Sequence, residues 1–296
     1  KLRMGGLTTG KSYFISLTVD GNAALDGGYQ HKIERTGESI IYINHWNETR
    51  SGNSTLTTTF EAVNGDNDLL FYVNAITCNI SNFQVREIGV EKDRSVNDNG
   101  LAVVGTITKT PVATGAELVG YSGFSASNNL IQPGNNDFDF GTGDLYMIFW
   151  HKKTNSSANE VLFEKKDDTT GGNGATLGFQ HHNNGYNCYV TGGAGGPGGT
   201  NDYLTGSYTT DSQWHCVAGV RSGGVLTIYV DGKSIVSAVR NYNVNNTGDL
   251  YIGSYIGAGT ATAQTSTMAL LRIGGSAPTA EQIKKIYEDE KVLFQE

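Results

Sequence analysis

The sequence predicts an all-β chain: two antiparallel β-sandwich domains of jelly-roll type in tandem, closed by one short C-terminal helix. Three observations predict it. Glycine supplies 40 of the 296 residues and proline only 4, a glycine share about twice the usual ~7%. Short runs of β-branched and aromatic residues recur, with Gly, Asn, Asp or Ser between them, at the ~8–12-residue spacing of a sandwich or barrel. Helical periodicity with a cap occurs at one place, near the end. Charged residues make up 17% of the chain, below the usual ~25%, which excludes a coiled coil or helical bundle. The glycines keep no triplet period, which excludes collagen. Hydrophobic content of 38%, with 11 Phe and 15 Tyr, fills a core, so the chain folds.

Residues 12–19 are rich in β-branched and aromatic residues and open the strand series. Runs of the same kind follow at 40–44, 56–62, 69–74 and 80–88. Residues 91–100 are polar and offer nothing to bury, which makes them the expected linker between a domain at 1–90 and one at 101–296. Strands then resume at 101–107, 145–150, 160–164, 176–180, 187–191, 214–220, 225–230 and 235–239. The clearest is 225–230, where Leu226, Ile228 and Val230 alternate with Thr227 and Tyr229, and Asp231-Gly232 then supplies a hairpin turn. The closing helix is expected at 279–290. Thr279 and Gln282 form a capping box, and Ile283, Ile286 and Tyr287 follow at helical spacing.

The chemistry-bearing motifs are sparse. Gly5 to Ser12 matches the phosphate-cradling G-x-x-x-x-G-K-[ST] loop, but that loop needs a helix after it, and here a strand pattern follows. A turn before a strand is the expectation. No Gly-x-Ser-x-Gly elbow or His-Glu-x-x-His pair is present, and the carboxylate pairs Glu87/Glu91, Glu160/Glu164 and Asp137/Asp139 lack a hydrolase pattern, so no catalysis is expected. Cys78, Cys188 and Cys216 lie far apart without a CxxC and read as buried free thiols. Asp137 and Asp139, beside Asp144 and the glycines Gly141 and Gly143, form an oxygen-rich run of the kind that suits calcium. A turn entering a strand, with Phe138 and Phe140 inward, is the alternative.

Aromatic residues speak to a ligand. Tyr29, His31, Tyr42 and Trp46 lie on or beside strands of the first half. A pyranose ring has an apolar face for such rings to stack on and a polar rim for neighbouring asparagines to bond. Trp150 and Trp214 sit in apolar strands and read as packing residues. A net charge of -8 argues against nucleic acid, which needs a basic footprint. No apolar run approaches the ~18 residues of a membrane span. The opening Lys1 to Gly6 lacks the apolar stretch of a signal peptide and reads as a start within a longer protein.

Two resemblances follow from particular residues. Leu7-Thr8-Thr9-Gly10-Lys11-Ser12-Tyr13, Leu69-Leu70-Phe71-Tyr72 and the strand from Ile80 to Glu87 make the first part resemble a jelly-roll carbohydrate-binding module. That family's opening strands would lie before Lys1. The second part resembles laminin-G-like, concanavalin-type sandwiches, through the runs 138–144, 161–165, 213–218, 226–232 and 246–253. The strand 270–273 and the run Ala277-Pro278-Thr279-Ala280 after it are similar to versions in tailed-phage fibre and virion-surface proteins. The resemblances imply glycan adhesion outside a cell or on a virion surface, with binding on loops at a sandwich rim. That rim draws on Asn183, Tyr186, Asp202 and Tyr203 around the 192–199 loop. The expected partner is a polysaccharide or surface glycan, met by a homo-oligomer or a larger fibre. A structural spacer without a glycan site, and the ancillary part of a polysaccharide-degrading enzyme, stand as alternatives.

Overall fold

The computed structural model describes residues 2–5, 7–20, 32–35, 40–42, 54–62, 68–72, 79–91, 95, 97, 99–153, 159–166, 176–182, 184–192, 203–209, 211–254, 263 and 265–295. It divides into two units, Lys1–Val104 and Gly105–Glu296. Every strand pair described is antiparallel, and one short α-helix closes the chain, so the all-β expectation holds.

The first unit holds eight described strands: β1 (Leu2–Gly5), β2 (Ser12–Asp20), β3 (Lys32–Arg35), β4 (Ile40–Tyr42), β5 (Ser54–Glu61), β6 (Asp68–Tyr72), β7 (Asn79–Glu91) and β8 (Leu101–Val104). One sheet runs β1-β6-β3-β4, and β8-β7-β2-β5 are neighbours in another. The glycine-rich turn before β2 is a turn and no phosphate loop. Lys11 N–H donates to Thr8 O at 3.1 Å, and Gly10 takes φ +77°, a left-handed position that suits glycine. Strand β2 follows directly, and Lys11 Nζ pairs with Glu87 at 2.8 Å. In β7, Asn82 sits at φ +52° where the register with β2 shifts, a bulge using a residue that tolerates that region. β8 pairs with β7, which places the unit boundary after residue 104, beyond the polar run at 91–100.

The second unit holds β9 (Thr108–Pro111), β10 (Val119–Ser122), β11 (Asn129–Gln132), β12 (Leu145–Lys153), β13 (Glu160–Lys166), β14 (Thr176–His181), β15 (Gly185–Thr191), β16 (Leu204–Ser207), β17 (Trp214–Ser222), β18 (Val225–Val230), β19 (Lys233–Val239), β20 (Leu250–Ile252), β21 (Ser266–Gly274) and α1 (Ala280–Glu290). One sheet is ordered β19-β18-β17-β12-β21-β10-β9, and β16-β15-β14-β13-β20-β11 run together in the other. Phe149 of β12 meets Phe163 of β13 and Phe179 of β14 edge to face, with centroids 5.3 and 5.1 Å apart. These rings fill the space between the sheets.

β12 is apolar on both faces because both are covered. Its other face carries Ile148 and Trp150 into a cluster with Cys216, Ala218, Ile283 and Phe294, beneath α1. The expected capping box forms: Gln282 N–H donates to Thr279 Oγ1, and Thr279 N–H to Gln282 Oε1. Trp150 stacks on Phe294 at 4.0 Å, and its indole N–H donates to Glu290, which also takes a two-pronged bond from Arg272. Trp150 and Trp214 are packing residues, as the sequence predicts. The β18–β19 hairpin turns on Asp231 (φ +51°) and Gly232 (φ +74°), the left-handed pair of a type I′ turn. Cys188 and Cys216 are buried and free; Cys78 lies outside the described residues. Among the described residues, no helix is long and apolar enough to cross a membrane.

Candidate functional site

Strand register decides which loops meet. Thr191 pairs with Thr176, Lys166 with Thr176, Lys165 with Leu250, and Leu250 with Gln132. The loops leaving this end are therefore 133–144, 240–249 and the stem at Gly192, with the 223–224 turn from the facing sheet. They have little regular structure, and side chains hold them.

Arg221, at the end of β17, is fully buried and points inward. Its Nε donates to Gly143 O (2.7 Å), Nη1 to Tyr242 O (2.6 Å) and Nη2 to Gly141 O (2.7 Å). One rigid donor fork thus ties two loops together. Burial lowers its pKa, and Asp144 partly offsets this. Lys165, also buried, donates from Nζ to the backbone oxygen of Asn246 and to Asn246 Oδ1 at 3.1 Å. Asp249 Oδ1 takes Gly134 N–H, and Asp144 Oδ1 takes Gly223 N–H. Gly141 N–H donates to Asn245 Oδ1 at 2.5 Å, and Asn245 N–H to Asn243 Oδ1 at 3.0 Å.

These last two bonds orient amides. Each of Asn243 and Asn245 is exposed, and each has its oxygen held by a backbone N–H. The NH₂ groups are then the ends presented outward, as hydrogen-bond donors. Asp137 and Asp139, exposed on the adjoining loop, present acceptors. Amide donors and carboxylate acceptors at one end of the unit are the groups that bond a diol, whose hydroxyls both donate and accept. Phe138 and Phe140, edge to face at 6.4 Å, and the half-buried Tyr242 add ring surface to the same loops.

Of the sequence-predicted residues, Tyr203 is half-buried, with its ring 5.3 Å from that of Tyr189; the Tyr189 hydroxyl donates to Gln180, and burial pushes its pKa up. Tyr186 requires a correction. It is fully buried, because strand alternation in β15 puts it on the core face with Cys188 and Val190, and its hydroxyl bonds His151. The start of β15 at Gly185 lies at the opposite end of that strand from Gly192, about 20 Å away along seven residues. Asn183, Asp202, Trp46, His31 and Tyr29 lie outside the described residues. Tyr42 ends β4, with its backbone paired to Lys32. Asp137 lies in a short 3-10 turn capped by Asn135. Among the described residues no group of three or more His, Cys, Asp or Glu is placed to hold a metal ion. Sequence reading passed over Asn243 and Asn245, although the run Asn241-Tyr242-Asn243-Val244-Asn245-Asn246 is the densest in asparagine.

A family model described as the concanavalin A-like lectin/glucanases superfamily, laminin-G type, matches residues 125–284, just over half of the chain. The binding domain of Paraclostridial mosquitocidal protein 1 superposes with a TM-score of 0.54 at 14% identity, covering 68% of this chain and 51% of that one. The botulinum neurotoxin serotype G binding domain gives 0.53 at 12%, covering 67% and 48%. The receptor binding domain of the botulinum neurotoxin C/D mosaic serotype gives 0.51 at 15%, with the same coverages. The chain spans about half the length of these solved chains, and at such identities the likeness is one of fold. No curated protein matches the chain.

Proposed function

The chain belongs to the concanavalin A-like lectin/glucanases superfamily, and from that membership we propose that it is a non-catalytic adhesion segment that binds glycan on the loop-bearing end of its second unit. The observation that carries the reading is the fixed amide pair. Asn243 and Asn245 have their side-chain oxygens held by backbone N–H groups, which leaves their NH₂ ends as donors, on loops anchored by Arg221 and Lys165. A site whose loops are already ordered loses little entropy on binding. The fold shared with toxin binding domains supports a role in attachment. In the first unit, Tyr29, His31, Tyr42 and Trp46 are proposed as further residues for sugar stacking. Each contact is weak, so a multivalent setting such as a virion-surface fibre suits it.

Asn243→Asp and Asn245→Asp test the site, because the aspartate oxygen still accepts the backbone N–H while the outward donor is lost. Retention in affinity electrophoresis against polysaccharides chosen from a glycan array should weaken about 10-fold for each, the cost of one lost hydrogen bond. Equal retention with melting unchanged refutes the site. Running the array with and without chelator tests calcium at Asp137 and Asp139. A spacer role without glycan draws on one observation. Val225 and Val239 face each other at the exposed edge of the seven-stranded sheet, and Val239 is 70% exposed. Filaments in sedimentation with a silent array would favour that reading.

A further inference from the structure

We propose that the second unit carries an acid-sensitive latch between its sheets, with His151 as the group that takes the proton. The latch is a polar cluster inside the sandwich, at the end opposite the binding loops. His151 of β12, Lys153 of β12, Glu160 of β13, His181 of β14, Tyr186 of β15 and Ser266 of β21 are each no more than 1% exposed. The cluster holds one cation and one carboxylate: Lys153 Nζ lies 3.0 Å from Glu160 Oε2. Both oxygens of Glu160 are committed. Oε1 takes Thr265 N–H (2.9 Å) and Thr265 Oγ1 (2.7 Å), and Oε2 takes Ser266 Oγ (2.5 Å) as well as the lysine.

That arrangement dictates the state of His151. A carboxylate only accepts, so the Ser266 hydroxyl donates to Glu160 and must itself accept from His151 Nε2–H, 2.9 Å away. His151 Nδ1 is then the lone-pair nitrogen, and it accepts from the Tyr186 hydroxyl at 2.9 Å. Neutral imidazole satisfies every partner. A second proton, on Nδ1, would meet a hydroxyl already pointing its hydrogen at it, and would leave an uncompensated positive charge beside Lys153.

The other groups facing His151 do not help. The His181 ring is 6.0 Å away and would be a second cation, while Tyr186 is neutral. His215 of β17 is held between Asp231 (2.8 Å) and Asp211 (2.9 Å), with Tyr208 at 3.0 Å, and spends both carboxylates on itself. Burial is the largest cause lowering the pKa of His151, followed by repulsion from His181, Lys153 and His215. Burying an unpaired charge is costly, so the protein responds to acid by opening where the sheets meet.

The sign follows from linkage. Below about pH 6.5 the unfolded chain takes up a proton on this histidine that the folded unit refuses, and stability falls as pH falls. The ring multiplies the unfolding constant by about 10 per pH unit there, which gives about 10-fold at pH 5.5 relative to pH 8. His215 runs the opposite way, and comparison with a variant cancels it. The test is urea unfolding of the full chain from pH 8 to 5.5, for the wild type and for His151→Gln. The ratio of unfolding constants, wild type over variant, should rise about 10-fold. A ratio constant within threefold overturns the proposal.

Should the variant fail to fold, nitrogen-15 NMR of the wild-type histidine rings decides directly. A neutral His151 ring at pH 5.5, carrying its proton on Nε2, supports the latch. A charged His151 in the folded protein at that pH overturns it. Neither readout involves a ligand, so failure here leaves the glycan reading standing.

Discussion

Replacing Arg221 by Met tests whether the loops at the binding end are built from within. The change removes the three guanidinium bonds to the carbonyls of Gly141, Gly143 and Tyr242 at once, while Gly141 O keeps the Val244 N–H. A fully buried acceptor that loses its bond costs about 1–3 kcal/mol. Here Gly143 is exposed and Gly141 and Tyr242 are half-buried, so water can reach part of what is lost. Methionine also relieves the cost of keeping a guanidinium out of water, which returns some of the loss. The sum comes to about 2–4 kcal/mol, or a melting temperature lower by about 6–12 °C for a unit of this size.

The loss should be local. Hydrogen exchange of Gly141 and Val244, whose amides bridge the two loops, should rise by an order of magnitude or more, while β12 stays protected. Arg221→Lys should fall between, since an ammonium keeps the charge but cannot span three carbonyls in a fixed fork. Melting within 2 °C of wild type, with loop exchange unchanged, would show that the guanidinium is no anchor.

Three further outcomes follow from particular contacts. Gly253→Ala should lose about 2–5 kcal/mol in urea unfolding, because Gly253 has φ +80° and an added Cβ would overlap the Phe124 ring. Glu290→Ala frees both the Trp150 indole N–H and Arg272 beneath α1. The pair is partly exposed, so about 1–2 kcal/mol is expected, read by denaturation followed through tryptophan fluorescence. For His215, burial opposes the charged form, but the bonds to Asp231 and Asp211 outweigh it and its pKa is raised. The stability it adds is therefore full below about pH 6.5 and is lost as pH rises through the folded value. Asp211→Asn should lower that value in an NMR titration and narrow the pH window; an unmoved titration would show that Asp231 alone sets it.

Local signals carried most of the fold. The β18–β19 hairpin rests on alternation plus an Asp-Gly turn, and α1 on a capping box, both interactions between residues close in sequence. Strands β9, β10, β11 and β16 went unread because each has four residues, and β9, with Thr-Lys-Thr-Pro all exposed, carries no apolar period. β10 and β16 are strands because the longer β21 and β15 pair with them, and β9 and β11 because β10 and β20 do. The site was less legible for a similar reason. Arg221 lies 78 to 80 residues from two of its partner carbonyls, and a carbonyl has no side-chain signature. Tyr186 was readable, since the alternation of β15 already groups it with Cys188 and Val190 rather than with the outward Tyr189.

The low charge content acquires a physical meaning once the buried groups are placed. Lys153, Glu160, Lys165 and Arg221 are among the most deeply buried side chains of the second unit. Charges are costly to bury, and replacing a buried pair by apolar residues is often neutral or stabilising, so stability alone is a weak reason to keep them there. Position supplies a better one. Arg221 and Lys165 sit under the loops and hold backbone that no sheet holds, while Lys153 and Glu160 sit at the other end beside two histidines. A sandwich core made only of Phe, Leu and Val would pack equally well but would leave loops 133–144 and 240–249 without donors. The charges taken inside also leave fewer on the surface. What the rim then offers is mainly amides, carboxylates and ring edges, a surface with little to attract an anion and much to bond a hydroxyl. An uncharged glycan fits that surface better than a sulfated or uronate-rich one, and binding to the latter should be the weaker on the same array.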